Sequence, residues 1–169
     1  PNRKSRFIEV CNRFLDRENS GYRFVNQQIV EISSQEEIEA VEDAIKSSTP
    51  YAGAREHLTK ALSHLKDREN PDYRNSIKES ISAVESLCRE IEGTNQAKLS
   101  AALKALEKKG VLHPALKSAF SSLYGYTSDS NGIRHALLEE NQLTSSDARF
   151  MLVSCSAFVN YVIGSVREN

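Results

Sequence analysis

Three observations predict an all-α bundle carrying one small β-hairpin near its N-terminus. Apolar residues recur at helical spacing through most of the chain. The period changes once, between residues 22 and 32, where aromatic and β-branched residues form short runs. Clusters of Gly, Pro, Ser and Asn fall between the periodic segments, where turns are needed. At 169 residues, one domain is the prior. We expect a single domain over 1–169, with an N-terminal helix, hairpin and short helix in 1–50 and a helical core in 51–169.

Phe7, Ile8, Cys11, Phe14 and Leu15 share one face, so 3–17 reads as an amphipathic helix with Arg and Lys on its other side. Asn19-Ser20-Gly21 ends it. Residues 22–25 and 29–32, around Asn26-Gln27-Gln28, read as the hairpin. A lone hairpin is marginal in water, so it must pack on helices. Ser34 with Glu37 makes a capping box, and a helix follows through Ile38, Val41 and Ile45. Residues 51–68 give the next helix, with Ala54, Leu58, Ala61, Leu62 and Leu65 inward. Asn70-Pro71 opens a long helix over 71–92, with Pro71 at its first position. Its stripe of Ile77, Ile81, Val84, Cys88 and Ile91 is a core face, and Gly93 closes it.

Leu99, Ala102, Leu103 and Leu106 predict a helix over 97–109. Another follows over 114–124, with Leu116, Phe120 and Leu123 inward and Tyr124-Gly125-Tyr126 breaking it. Ile133, Ala136 and Leu137 predict a short helical start after a polar turn. Thr144 with Asp147 opens the last helix, over 145–165, which is apolar on nearly all sides and therefore central.

Composition narrows the function classes. With 39% hydrophobic and 27% charged residues, a disordered chain is disfavoured. No apolar run reads as a bilayer span, and the charged start PNRKSRF is no secretory leader. We therefore expect a cytoplasmic protein with no membrane partner. A net charge of -1 argues against a broad nucleic-acid-binding face, but a few Arg suffice for a small phosphate site. Cys11, Cys88 and Cys155 each sit in an apolar pattern, with no CxxC or Cys/His pairing. Buried free thiols are expected, with no metal and no cofactor. His57 and His64 read as surface or boundary residues, not as a metal pair. There is no GxGxxG, no P-loop and no serine elbow.

The chemistry concentrates in TSDSNGIRHALLEE, residues 127–140. Arg134 is permanently charged, and its fork matches phosphate oxygens. His135 belongs to the residue type that titrates nearest neutrality. Together they can stabilise and protonate a reacting phosphate, with Asp129 or Glu139 orienting the imidazole. The alternative is a capped helix whose Arg and His pack structurally. Arg74 and Lys78 stand one helical turn apart and can face one ligand; the alternative is a solvated face partnered by Glu79 and Glu85. Tyr126, with Tyr124, can stack on a base or form an aromatic corner over the core.

The stretches NPDYRNSIKESISAVESLC (70–88) and KGVLHPALKSAFSSLYGYTSDSNGIRHAL (109–137) resemble the HEPN domain of abortive-infection proteins related to AbiJ. HEPN denotes higher eukaryotes and prokaryotes nucleotide-binding. The resemblance runs from about residue 7 to 165. It implies a HEPN-like helical bundle, commonly a homodimer. It also implies the C-terminal portion of a longer protein with a separate N-terminal domain, which the missing initiator Met fits. Two functions follow from it: a metal-independent ribonuclease in phage defence, or a non-catalytic module that dimerises and binds nucleotide or RNA. The family's catalytic motif runs from Arg, through Asn, Asp or His, to a final His after four to six intervening residues. Arg134 matches the first position and His135 the second, while Glu139, Glu140 and Asn141 occupy the window of the last His.

Overall fold

The computed structural model describes residues 3–18, 22–25, 27–31, 35–67, 69–93, 99–128 and 143–168. Seven helices and one two-stranded sheet lie within them, so the chain is all-α with a small N-terminal hairpin.

Four helices make the core: α2 (Gln35–Ser47), α3 (Ala52–Lys66), α4 (Tyr73–Glu92) and α7 (Ser145–Glu168). α4 packs between α3 and α7, and α2 closes the bundle against α7 and α3. The α3–α4 pair is antiparallel. His57 Nδ1 lies 2.6 Å from Glu79 Oε2, and Ser76 Oγ donates to the Ala61 carbonyl at 2.8 Å, so rising numbers on α3 meet falling numbers on α4. The two helices come close at Gly53, where an added Cβ would collide with the Ser86 hydroxyl. Leu58, Leu62, Ile77, Ile81, Leu87, Met151 and Leu152 are wholly buried. Each such side chain contributes roughly 1.5–3 kcal/mol of transfer free energy.

Local chemistry sets the ends of α4. Asp72 supplies the cap, so Pro71 lies outside the helix rather than at its first position: Asp72 Oδ1 accepts from the Asn75 backbone N–H at 2.9 Å. The helix therefore begins two residues later than the Asn-Pro signal suggests, because the aspartate side chain satisfies a donor that the first turn leaves open. Gly93 ends it at φ 68, where its N–H reaches the carbonyls of Arg89 and Glu90.

α5 (Leu99–Lys108) packs on α4, and α6 (Pro114–Ser128) lies against both. Phe120 of α6 stacks on Phe158 of α7 with ring centroids 3.8 Å apart. Tyr124-Gly125-Tyr126 does not break α6, which runs on to Ser128. Phe120, Leu123, Tyr124 and Thr127 continue a helical core face. That packing overrides the roughly 1 kcal/mol that a mid-helix glycine costs. Leu116, expected inward, is exposed in the first turn; the α6 core contact begins at Phe120.

α7 buries Ala148, Met151, Leu152, Cys155, Val159, Val162 and Ile163. Asn160 ties it to α2, donating to the Ala40 carbonyl at 2.9 Å and accepting from Ser47 Oγ at 3.0 Å. Its other side is not buried: Phe150 and Tyr161 are exposed. By length and composition α7 is long and apolar enough to cross a membrane, which corrects the reading that no run approaches that length. The polar interruptions Ser154, Ser156 and Asn160 mask this in the sequence.

The N-terminal elements are α1 (Arg3–Arg17), β1 (Tyr22–Val25) and β2 (Gln28–Glu31). The strands pair antiparallel, from Tyr22↔Glu31 to Val25↔Gln28. That register leaves a two-residue connection, Asn26-Gln27, and places β2 one residue earlier than the β-branched run suggested. Gln27 takes φ 68, the left-handed conformation that tight hairpin connections require. α1 rests on β1 through polar contacts. The Asn12 amide brackets Phe24, donating to its carbonyl and accepting from its N–H, both at 2.8 Å. Buried Arg23 donates to the Asn12 carbonyl at 2.7 Å. Phe7 and Phe14, expected inward, are 62% and 54% exposed. The hairpin is too narrow to cover the whole apolar face of α1. The Ser34 cap and the short helix at 133–137 lie outside the described residues.

Candidate functional site

Arg134, His135, Asp129 and Glu139 all lie outside the described residues. Their segment follows Ser128 at the end of α6 and precedes α7, the two helices joined by the Phe120–Phe158 stack. Tyr126, near the end of α6, is 54% exposed, and an open ring face suits base stacking. Tyr124 packs against the core, so the two tyrosines have different surroundings.

Arg74 and Lys78 stand in the first turns of α4. Arg74 is half-buried and acts electrostatically on the Asp72 carboxylate. Burial raises the Asp72 pKa, but hydrogen bonds from Asn75 and the charges of His64 and Arg74 outweigh it and hold the group below its ordinary value. Arg74 thereby belongs to the α4 cap cluster, while Lys78 is exposed. Of the two carboxylates weighed as their partners, Glu79 lies 2.6 Å from His57 and Glu85 lies 3.8 Å from Arg89. Their helical positions aim them at α3 and along α4. No group of three or more His, Cys, Asp or Glu among the described residues could hold a metal ion.

Cys88 and Cys155 are buried and free, whereas Cys11, on α1, is only half-buried. Burial, then the nearby Glu92 and Glu85 carboxylates, push the Cys88 thiol up to about 12. Burial also raises Cys155. Both thiols are therefore poor nucleophiles.

The described concavities gather around the hairpin, where the sequence reading placed no site. A cleft of about 480 Å³ opens between α1, the hairpin turn, α2 and the start of α3. Ile8, Phe24 and Ile45 give it an apolar wall, Glu9 and Glu42 an acidic side, and Lys46 and Arg55 a basic one. Burial raises the Glu42 pKa, against the lowering influence of Arg23. A groove of about 330 Å³ lies along α1 beside Phe7, and a third concavity of about 470 Å³ runs toward Lys66 on α3. Phe24 and Gln27 line all three. Such a cleft can seat a small polar ligand with an apolar face. Sequence gave one weak signal for it, the polar Asn26-Gln27-Gln28 turn beside Phe24.

Fold and cleft together define an all-α bundle bearing a hairpin-lined N-terminal concavity. Residues 1–47 match the family model of AbiJ N-terminal domain 4. This span takes in α1, the hairpin and α2, and so most of the wall of the cleft of about 480 Å³. The match supports a relationship to abortive-infection AbiJ proteins. It falls on an N-terminal domain of that kind, not on a C-terminal portion, and outside the 70–88 and 109–137 stretches that carry the HEPN resemblance. No curated protein and no solved structure matches the chain.

Proposed function

We propose that this chain is part of a bacterial abortive-infection protein and acts on RNA through Arg134 and His135. The match of residues 1–47 to AbiJ N-terminal domain 4 carries the defence context. Stretches 70–88 and 109–137 support a HEPN-like reading of the bundle, and the all-α architecture is compatible with it. The reaction is transesterification within RNA. A ribose 2′-oxygen bonds to the adjacent phosphorus as the bond to the 5′-oxygen breaks, leaving a 2′,3′-cyclic phosphate and a 5′-hydroxyl. Arg134 stabilises the charge on the non-bridging oxygens. His135 moves the proton from the attacking to the leaving oxygen, a role worth roughly 10²–10⁴-fold. Tyr126 offers an exposed ring for a neighbouring base. The protein works in the cytoplasm.

The test is RNA cleavage by the purified chain in EDTA, with Arg134→Ala and His135→Ala for comparison and helicity checked by circular dichroism. Cleavage that survives EDTA and disappears in both folded variants supports the reading. A second reading, a non-catalytic module that binds RNA or nucleotide, is favoured by one observation: Glu139, Glu140 and Asn141 replace the final motif histidine. Under it, RNA is retained by the wild type without cleavage, and Arg134→Ala releases it.

A further inference from the structure

We propose that α1 lies in the plane of an anionic bilayer surface, with Phe7, Val10 and Phe14 below the headgroups and its arginines on the lipid phosphates. These three apolar residues are 62%, 41% and 54% exposed. At 3.6 residues per turn they fall within about 60° of one another. Arg3 lies inside that arc, and Arg6 and Arg13 lie within about the next 60°; all three are exposed. Ile8, Asn12 and Leu15 lie on the other side of the helix and are half-buried. The apolar surface continues beyond α1. The Phe7 ring meets Phe24 edge-on, with centroids 6.4 Å apart. Ile29, paired with Phe24 across the hairpin, is exposed, as is Tyr22 on the same face. The groove of about 330 Å³ between α1 and the hairpin is lined by Phe7, Ile8 and Phe24 together with Arg3 and Lys4. An apolar opening beside cations suits a lipid headgroup and its first methylenes. Contiguous exposed apolar surface of this kind marks an interaction site.

Charge selects the occupant. α1 carries five basic and two acidic residues, in a chain with 22 basic and 23 acidic. The positive charge is therefore concentrated on this helix, and the rest of the chain has four more acids than bases. Arg17 pairs with Glu18 at 3.0 Å and stands 5.1 Å from the centre of the Phe14 ring, so the face relies on Arg3, Arg6 and Arg13. A second copy of α1 would bring the same cations into the contact. RNA would satisfy the cations, but Val10 has no ring to stack on a base. An anionic bilayer satisfies both halves of the face, with cations at the phosphates and the apolar stripe at the boundary of the tails. An in-plane helix needs no spanning run, so the pattern behind the expectation of no membrane partner does not bear on it. The contact does not rest on the RNA reading. It would set the bundle on the cytoplasmic leaflet, which is the anionic one.

The experiment is co-sedimentation of the whole chain with vesicles of phosphatidylglycerol and phosphatidylcholine in equal parts. Wild type should pellet with them, pellet far less with phosphatidylcholine alone, and be released as salt is raised. Val10→Ser combined with Phe14→Ser should weaken binding roughly tenfold. Arg6→Gln combined with Arg13→Gln should weaken it about fivefold for each cation removed. All four side chains are exposed, so circular dichroism should show unchanged helicity. The chain has no Trp, so Phe14→Trp makes a single reporter. Its emission should shift to the blue on these vesicles and be quenched by brominated tails, whereas that of Leu116→Trp on α6 should not change. Arg134→Ala should bind vesicles as wild type does, which separates this contact from the RNA reading. Anionic vesicles left unbound, or bound equally by both double variants, overturn the proposal. So does a dimer, or retained RNA, that Val10→Ser with Phe14→Ser abolishes while vesicles stay unbound; α1 would then be a protein or RNA surface.

Discussion

The helical bundle and the N-terminal appendage of this chain are held by different forces. In the bundle, α2, α3, α4 and α7 bury a continuous apolar core, and their polar groups serve mainly as caps and ties. α1 instead sits on β1 through one asparagine amide, one buried arginine and an edge contact between Phe7 and Phe24, and leaves more than half of Phe7 and Phe14 in solvent. Burial adds over many residues, whereas a polar latch depends on a few atoms. The bundle should therefore open only in global unfolding, and α1 by local opening at much lower cost. The span matched to AbiJ N-terminal domain 4 crosses this boundary, with α1 and the hairpin on one side and α2 on the other.

The largest expected effect lies in the bundle. Leu58→Ala or Ile81→Ala, at positions with no exposure, should cost about 2–5 kcal/mol in urea unfolding with the m-value unchanged. A loss under about 1 kcal/mol would contradict the placement of that core. Next comes the latch. Asn12→Ala strips both partners from the Phe24 backbone, a local loss of about 1–3 kcal/mol. Amide exchange should accelerate in α1 and β1 and stay unchanged in α4. Equal acceleration everywhere would merge the two regions into one cooperative unit.

A pH series sharpens the contrast. Cys88 is raised in the folded protein from 9.0 to about 12, so its thiol ionises more readily in the unfolded chain. The stability it contributes is full below pH 9.0 and is lost as pH rises toward 12. The urea midpoint should fall above pH 9, and Cys88→Ala should reduce the slope, with the remainder from Cys155. Cys11, on the appendage, should be the first thiol to react with a maleimide. The smallest effect is at the start of α7. Asp147 Oδ2 accepts from the Thr144 N–H at 2.9 Å and from its hydroxyl at 2.6 Å. Removing this cap with Thr144→Ala should cost about 1 kcal/mol. These hydrogen bonds hold Asp147 below its ordinary value, so its contribution is present at neutral pH and is lost as pH falls through the acidic range.

Much of the fold was legible because periodicity reports burial directly. The Ile77–Cys88 stripe is the buried face of α4, and Gly93 is its left-handed cap. Legibility failed where tertiary contact overrode a local signal. Gly125 reads as a breaker, yet Tyr124 and Thr127 hold α6 together through the core and a 2.8 Å bond from Thr127 Oγ1 to the Tyr124 carbonyl. The face of α1 reads as core, but periodicity cannot say how wide its neighbour is. The cleft was invisible because Glu9, Gln27, Glu42 and Arg55 come from four separate elements and meet only in the fold. Arg134 and His135 remain a reading of the sequence, flanked by α6 and α7.

The most direct test of the account is hydrogen exchange with and without a short 2′-O-methyl RNA, which can bind but cannot be cleaved. Protection should appear between Tyr126 and Ser145 and be lost in Arg134→Ala. Protection confined to the hairpin cleft, around Phe24, Gln27 and Arg55, would contradict it and move the functional site to the N-terminal end of the molecule.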